Sequence, residues 1–274
     1  MMSTLTQGSR AGRGRARPVI EGAARAGLTA RGVIYVLVGL LALQIAFGDG
    51  GEQADQGGAL QEVAEQPFGA VLLWILGAGL VGMALWRLSE VVFGAAGPDG
   101  GTWKKRGASA VRAVFYGFVA YSALSFAAGA GGSGSSDGRS RDVTAKALEM
   151  PGGQWIVGIG GAAVAVAGLV IGVQAARRKF HKHLRLAEMS RRMRRTVDFT
   201  GVAGGVARGL VFAAAGAFAV RAAVDFEPDK AKGMDDTLRS FTETPAGPWL
   251  LVAVAVGLVL FGVFSFVMAR WRKV

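Results

Sequence analysis

The chain has 274 residues, 51% of them hydrophobic, with 43 Gly, two His, no Cys and a formal net charge of +12. Without Cys, disulfides, thiolate metal centres and Cys nucleophiles are excluded together, and two His leave little acid–base chemistry near neutrality. The apolar residues are gathered into six blocks, each about as long as the 20 residues a bilayer core demands, so no stretch remains for a separate soluble domain.

Residues 1–26 form a basic tail with Arg10, Arg13, Arg15, Arg17 and Arg25, and its Arg-, Gly- and Ala-rich composition predicts disorder. The first predicted span covers 28–47. It reads as a retained span rather than a signal sequence, because it lacks a small-x-small cleavage site and its pattern recurs. The connection 48–66 carries Asp49, Glu52, Asp55, Glu62 and Glu65 without any Lys or Arg. In the second span, 68–93, Arg87 and Glu90 stand three apart and can pair. A basic connection, 96–106, leads to a third span over 110–128, followed by a Gly/Ser-rich linker at 129–138. The fourth span, 154–176, runs into a basic loop at 177–199. The fifth covers 201–224, and an acidic-leaning loop leads to the sixth, 249–269, which ends in Arg270-Trp271-Arg272-Lys273-Val274.

One pattern organises these blocks. Glu65-Gln66-Pro67-Phe68-Gly69 returns as Glu149-Met150-Pro151-Gly152-Gly153 and as Glu243-Thr244-Pro245-Ala246-Gly247. Each copy separates two apolar blocks, and the earlier block of each pair opens with Arg31, Arg112 or Arg208. From Arg to Pro the count is 36, 39 and 37 residues. Spacing of that kind is the mark of an internal repeat. The expected fold is therefore all-α: six transmembrane helices as three two-helix hairpins, 27–95, 107–176 and 200–274, with approximate threefold pseudosymmetry.

On alternate sides of the six spans, 24 of the 31 Lys and Arg fall on the side of both termini. Lys and Arg are retained in the cytoplasm during insertion, which predicts both termini inside. Aligning the copies also matches small residues at equal depth. Gly77, Gly161 and Ala255 correspond, as do Ala84, Gly168 and Gly262. Gly201, Gly205, Gly209, Ala213 and Ala217 recur every four residues in the fifth span, which predicts a face packed closely against other helices. Four residues beyond each repeated Arg stand Tyr35, Tyr116 and Phe212.

The runs Ala30 to Tyr35 (A-R-G-V-I-Y) and Gln66 to Trp74 (Q-P-F-G-A-V-L-L-W) resemble the bacterial membrane proteins of the domain of unknown function 1206 family. The resemblance extends over nearly everything beyond residue 25. The second and third copies depart from it, with Val111-Arg112-Ala113 in place of A-R-G and Phe212 in place of the Tyr. It implies a bacterial plasma-membrane location and three copies of a two-span unit, and it implies no activity.

Three sets of repeated polar residues are candidate sites. Glu65, Glu149 and Glu243 suit the positive start of a helix, with Pro in or near its first turn; arranged about an axis, they would instead form an outer ring that attracts cations. Arg31, Arg112 and Arg208 suit snorkelling to the headgroups; turned inward, they would hold a phosphate or lipid headgroup. Gln44, Ser125 and Arg221 lie thirteen residues past those Arg, and facing the axis they would mark a solute path. Arg221 can alternatively pair with Asp225 one turn on.

The basic stretch 177–195 carries no series of aromatic residues for stacking, so it predicts attraction to anionic lipid rather than nucleic acid. His181 and His183, two apart, make a poor metal pair on a helix. No cofactor is expected, and no nucleophile–base constellation stands out in the spans. The sequence favours a non-catalytic membrane scaffold or regulator, with anionic headgroups and a cytoplasmic protein as candidate partners. A small-solute or ion transporter is the alternative. The sequence leaves the oligomeric state open.

Overall fold

The computed structural model describes residues 5–48, 53–94, 102–130, 136–244 and 247–272. Asp49, Glu52, Pro245, Lys273, residues 96–101 of the basic connection and residues 131–135 of the Gly/Ser-rich linker lie outside them. All regular elements among the described residues are helical. They are α1 (Leu5–Ala46), α2 (Gln56–Glu65), α3 (Gly69–Phe93), α4 (Trp103–Ala127), α5 (Ser136–Leu148), α6 (Gly153–Ala176), α7 (Arg191–Asp225), α8 (Met234–Ser240) and α9 (Gly247–Trp271). Six of them, α1, α3, α4, α6, α7 and α9, are long and apolar enough to cross a membrane. The protein is a multi-pass helical bundle.

Two expectations about the ends of the spans are corrected. The basic tail is helical from Leu5 onward, continuous with the first span. Extending an existing helix adds a bond for every residue fixed, whereas starting one does not. The three connections opposite the termini are also more than loops. Each holds a short helix, α2, α5 or α8, ahead of the next span.

The most extensive contacts join consecutive repeats: α3 lies along α4, α6 along α7, and α9 closes back on α1. Within a repeat, α1 touches α3 and α7 touches α9, but α4 and α6 hardly meet. The three hairpins therefore do not make the same internal contact, and the second is open.

Glycine sets the spacing at these junctions. A Cβ on Gly209 would lie 2.7 Å from the Gly168 carbonyl oxygen and 2.7 Å from the Gly172 nitrogen. One on Gly262 would lie 2.7 Å from the Gly32 carbonyl oxygen, and one on Gly77 would meet Leu124 Cδ2 at 2.5 Å. The matched small residues thus lie where backbones of neighbouring repeats touch. The four-residue stripe in α7 is corrected at its end, because Ala217 is exposed and Gly216 is buried against Gly161 and Ala165. Steps of four turn 40° past each full turn of a 3.6-residue helix, so such a stripe drifts off the face.

At the termini end, the basic loop folds onto the bundle. Ahead of α7 it forms two 3-10 turns, Lys179–His183 and Leu186–Glu188. Phe180 packs edge-on against Phe264, and Leu184 and Met189 are buried. Leu184 forms an antiparallel bridge with Arg272, and the Arg185 N–H donates to the Trp271 carbonyl at 3.0 Å.

Gly209→Ala forces α6 and α7 apart and should cost about 1–3 kcal/mol. Gly172→Ala, whose Cβ meets nothing within 4 Å, should be neutral or stabilise by up to about 1 kcal/mol. Thermal unfolding of both variants in one detergent checks the contrast.

Candidate functional site

The E-x-P-x-G segments are corners between helices. In each, the Gly N–H donates to the carbonyl of the residue before Pro: Gly69 to Gln66 at 2.8 Å, Gly153 to Met150 at 2.8 Å, and Gly247 to Thr244 at 2.7 Å. In the first two, the residue after Pro has positive φ, 63° at Phe68 and 75° at Gly152. Pro followed by a left-handed residue is the signature of a type II turn. Glu65 therefore ends α2 rather than starting α3, and Glu149 and Glu243 likewise follow the short helices α5 and α8. All three carboxylates are exposed. The Pro and Gly are explained by the turn; nothing in the structure explains the Glu.

Gln44 is exposed, Ser125 half-buried, and the Arg221 side chain is 70% exposed, 3.6 Å from Asp225. The structure does not gather these three on an interior axis, and Arg221 takes the ion pair at the helix edge.

The repeated arginines behave differently. Arg31 is buried in the bundle, its Nε donating to Ser265 Oγ at 3.1 Å while its guanidinium stands 5.2 Å from the Phe261 ring centre. Arg208 approaches the same ring at 5.0 Å and also stands over Phe212 and Tyr35. Two guanidinium groups from different repeats thus share one aromatic ring. The Tyr116 hydroxyl lies within hydrogen-bonding reach of Arg31, and the Tyr35 hydroxyl within reach of Arg208. Arg112 is exposed at the edge of this group, near enough to feel the charges of Arg87, Glu90 and Arg208.

Two further arginines complete the cluster. Arg87 pairs with Glu90 at 2.7 Å, Ser109 also donates to Glu90, and Arg87 and Arg272 both stand over the Trp86 ring. Buried nitrogens on Arg31, Arg87, Arg208 and Arg272 have no hydrogen-bond partner among the described residues. Arg31 and Arg208 therefore turn inward instead of snorkelling. The convergence of all three repeats was invisible in the sequence, which gives matched depth and no helix rotation. The aromatic residue one turn beyond each Arg was the signal available.

A second polar group, which sequence reasoning missed, joins the short helices. Asp55 caps α2 by accepting from the Gly58 N–H, and Asp235 accepts from the Ala54 N–H at 2.8 Å and from Arg239. Asp137 accepts from the Asp236 N–H at 3.2 Å, and Arg141 pairs with Asp236. Asp137, Asp235 and Asp236 bring carboxylate oxygens within 4.8 Å of one another, close enough to share a cation. Each of these carboxylates already has a protein donor, so the group reads as a tie between the three connectors.

Burial and the neighbouring carboxylates push Asp137 up from 3.8 to about 6. Between those values the unfolded chain holds fewer protons than the folded one, so stability falls as pH rises through the window. Asp137→Asn can still accept from the Asp236 N–H. It should raise the melting temperature at pH 7 and remove that part of the pH slope, as read from melting curves at pH 4–7.

The chain matches the family model described as Domain of Unknown Function (DUF1206) three times, at residues 26–94, 108–178 and 203–272. It is 32% identical over 254 residues to a Bacillus subtilis (strain 168) protein called Uncharacterized protein YxxB, covering 91% of this chain and 90% of that one. No solved structure matches. The chain belongs to the DUF1206 family.

Proposed function

We propose that this family member is a non-catalytic membrane scaffold or regulator that holds an anion at its buried arginines and presents a basic face to anionic lipid. The observation that carries the reading is the charge imbalance of the cluster, where Arg87, Arg112 and Arg272 lie near Glu90, and Arg208 and Arg31 lie near Arg112 and Arg272. Removing a cation from water costs several kcal/mol unless it is paired. Ionisable groups inside a membrane bundle mark functional sites by default. An anion seated there would meet several charged donors at once.

Tyr35, Tyr116, Phe261 and Ser265 are buried around these arginines, which supports a filled interior over an open path. On the proposed cytoplasmic face of the plasma membrane, Arg177, Arg178, Arg191 and Arg192 are exposed. Such residues add about 1 kcal/mol each near an anionic leaflet, and an acidic protein surface would suit the same face. Nucleic acid is not among the partners proposed. Transport of a small anion keeps support from the same buried charges.

Purified protein in neutral detergent should melt roughly 5–10 °C higher with saturating inorganic phosphate or short-chain phosphatidylglycerol, and Arg208→Gln should lose most of that gain. No gain with either anion would remove the basis of the proposal. Proteoliposomes loaded with labelled phosphate should retain it as protein-free vesicles do, whereas protein-dependent efflux would establish the transport reading in its place.

A further inference from the structure

We infer that the anion is the headgroup of an acidic lipid whose acyl chain occupies the crevice between α4 and α6; the inference rests on the anion-binding reading above. Its starting point is a relay between repeats. Arg208 of the third repeat reaches Tyr35 of the first, and Arg31 of the first reaches Tyr116 of the second. The next step would carry Arg112 to residue 212, but that residue is Phe and has no hydroxyl to offer. Arg112 makes no hydrogen bond or ion pair among the described residues.

At that same place the bundle is open. The gap between α4 and α6 holds a cavity of about 610 Å³, whose lining includes Phe115, Phe118, Gly160, Val164, Phe212 and Ala215. The volume falls within the range of small-molecule sites. Phe115 lies one helical turn from Arg112, and Phe212 one turn from Arg208, about 4.5 and 6 Å along the axes. Gly160 and Val164 line the cavity and are nonetheless exposed, so the cavity opens to the surface of the bundle, which faces lipid along a spanning helix. A mostly apolar cleft that ends one helical turn from the Arg112 guanidinium and from Arg208, whose Nε has no partner among the described residues, suits an amphiphile better than a hydrated solute.

Charge fixes which way round the occupant lies. Lys232 lines the opposite end of the cavity, but Asp55 lines it too, and Asp55 and Asp137 are near enough to sense each other's charge. That end repels an anionic head, whereas Arg112 and Arg208 attract one. A comparable groove between α1 and α3, about 650 Å³, has no ionisable side chain in its lining, and Arg25, one turn from Thr29 in that lining, is already paired with Glu21, so it offers an acidic lipid less.

The test titrates phosphatidylglycerol, phosphatidylcholine and inorganic phosphate onto the full chain in neutral detergent, followed by native mass spectrometry and melting. Arg112→Gln alters an exposed side chain, and Gly160→Trp builds into a position whose Cβ meets nothing within 4 Å. Each should weaken phosphatidylglycerol binding about tenfold, while only Arg112→Gln should weaken phosphate. Phosphatidylcholine should bind far more weakly than phosphatidylglycerol. Val164→Trp, which fills the same crevice, repeats the Gly160 arm if that variant melts early without lipid. Unchanged phosphatidylglycerol binding in both crevice-filling variants, with phosphate binding intact, would overturn the lipid inference and leave the anion reading standing. So would a loss confined to Lys232→Gln, which would mean the opposite orientation. Binding of neither anion would remove both.

Discussion

Close contact between helix backbones holds this bundle together. In lipid, helices gain little from hiding apolar side chains from one another, because the surrounding chains are equally apolar. Association then depends on dispersion contacts, which require near approach. Gly32 with Gly262, Gly168 with Gly209, and Gly161 with Gly216 provide it where one repeat meets the next. The unit copied in the sequence is therefore not the unit of packing. Each hairpin is held less by its own two helices than by its neighbours.

That arrangement allows the interior to carry charge. With the repeats drawn together at their junctions, an arginine from one copy comes within reach of an aromatic side chain from another. Phe261 serves two of these arginines, and the two tyrosines extend hydroxyls towards them. The guanidinium groups are thus partly compensated by ring faces and neutral acceptors rather than by carboxylates. Such an environment leaves a net positive site inside the bundle. Its asymmetry has a one-atom origin, since Phe212 differs from the equivalent tyrosines by a hydroxyl.

Much of the fold was legible because repeat spacing and block length are properties of the chain alone. Six spans, their approximate bounds and the matched small residues could all be read from it. The short helices escaped because α2 and α5 are neither long nor apolar, and α8 has only seven residues. Once those helices are seen, E-x-P-x-G is a turn, and its Pro and Gly have backbone reasons. Rotation about the helix axes was the larger loss. Gln44 and Arg31 belong to one helix at known depths, but only packing reveals that one faces outward and the other inward. The aspartates that tie the connectors together lie far apart in sequence and in loops without a common pattern, so nothing marked them as partners.

The clasp between Leu184 and Arg272 links the turn after the fourth span to the last residues of the sixth. A bulky fusion attached directly behind Arg272 would strain two places at once, the sixth span and the start of the fifth. Tension applied to that terminus would likewise be shared by three helices rather than unwinding one. The carboxyl end is in this respect a mechanical anchor point, and any tether added there needs slack.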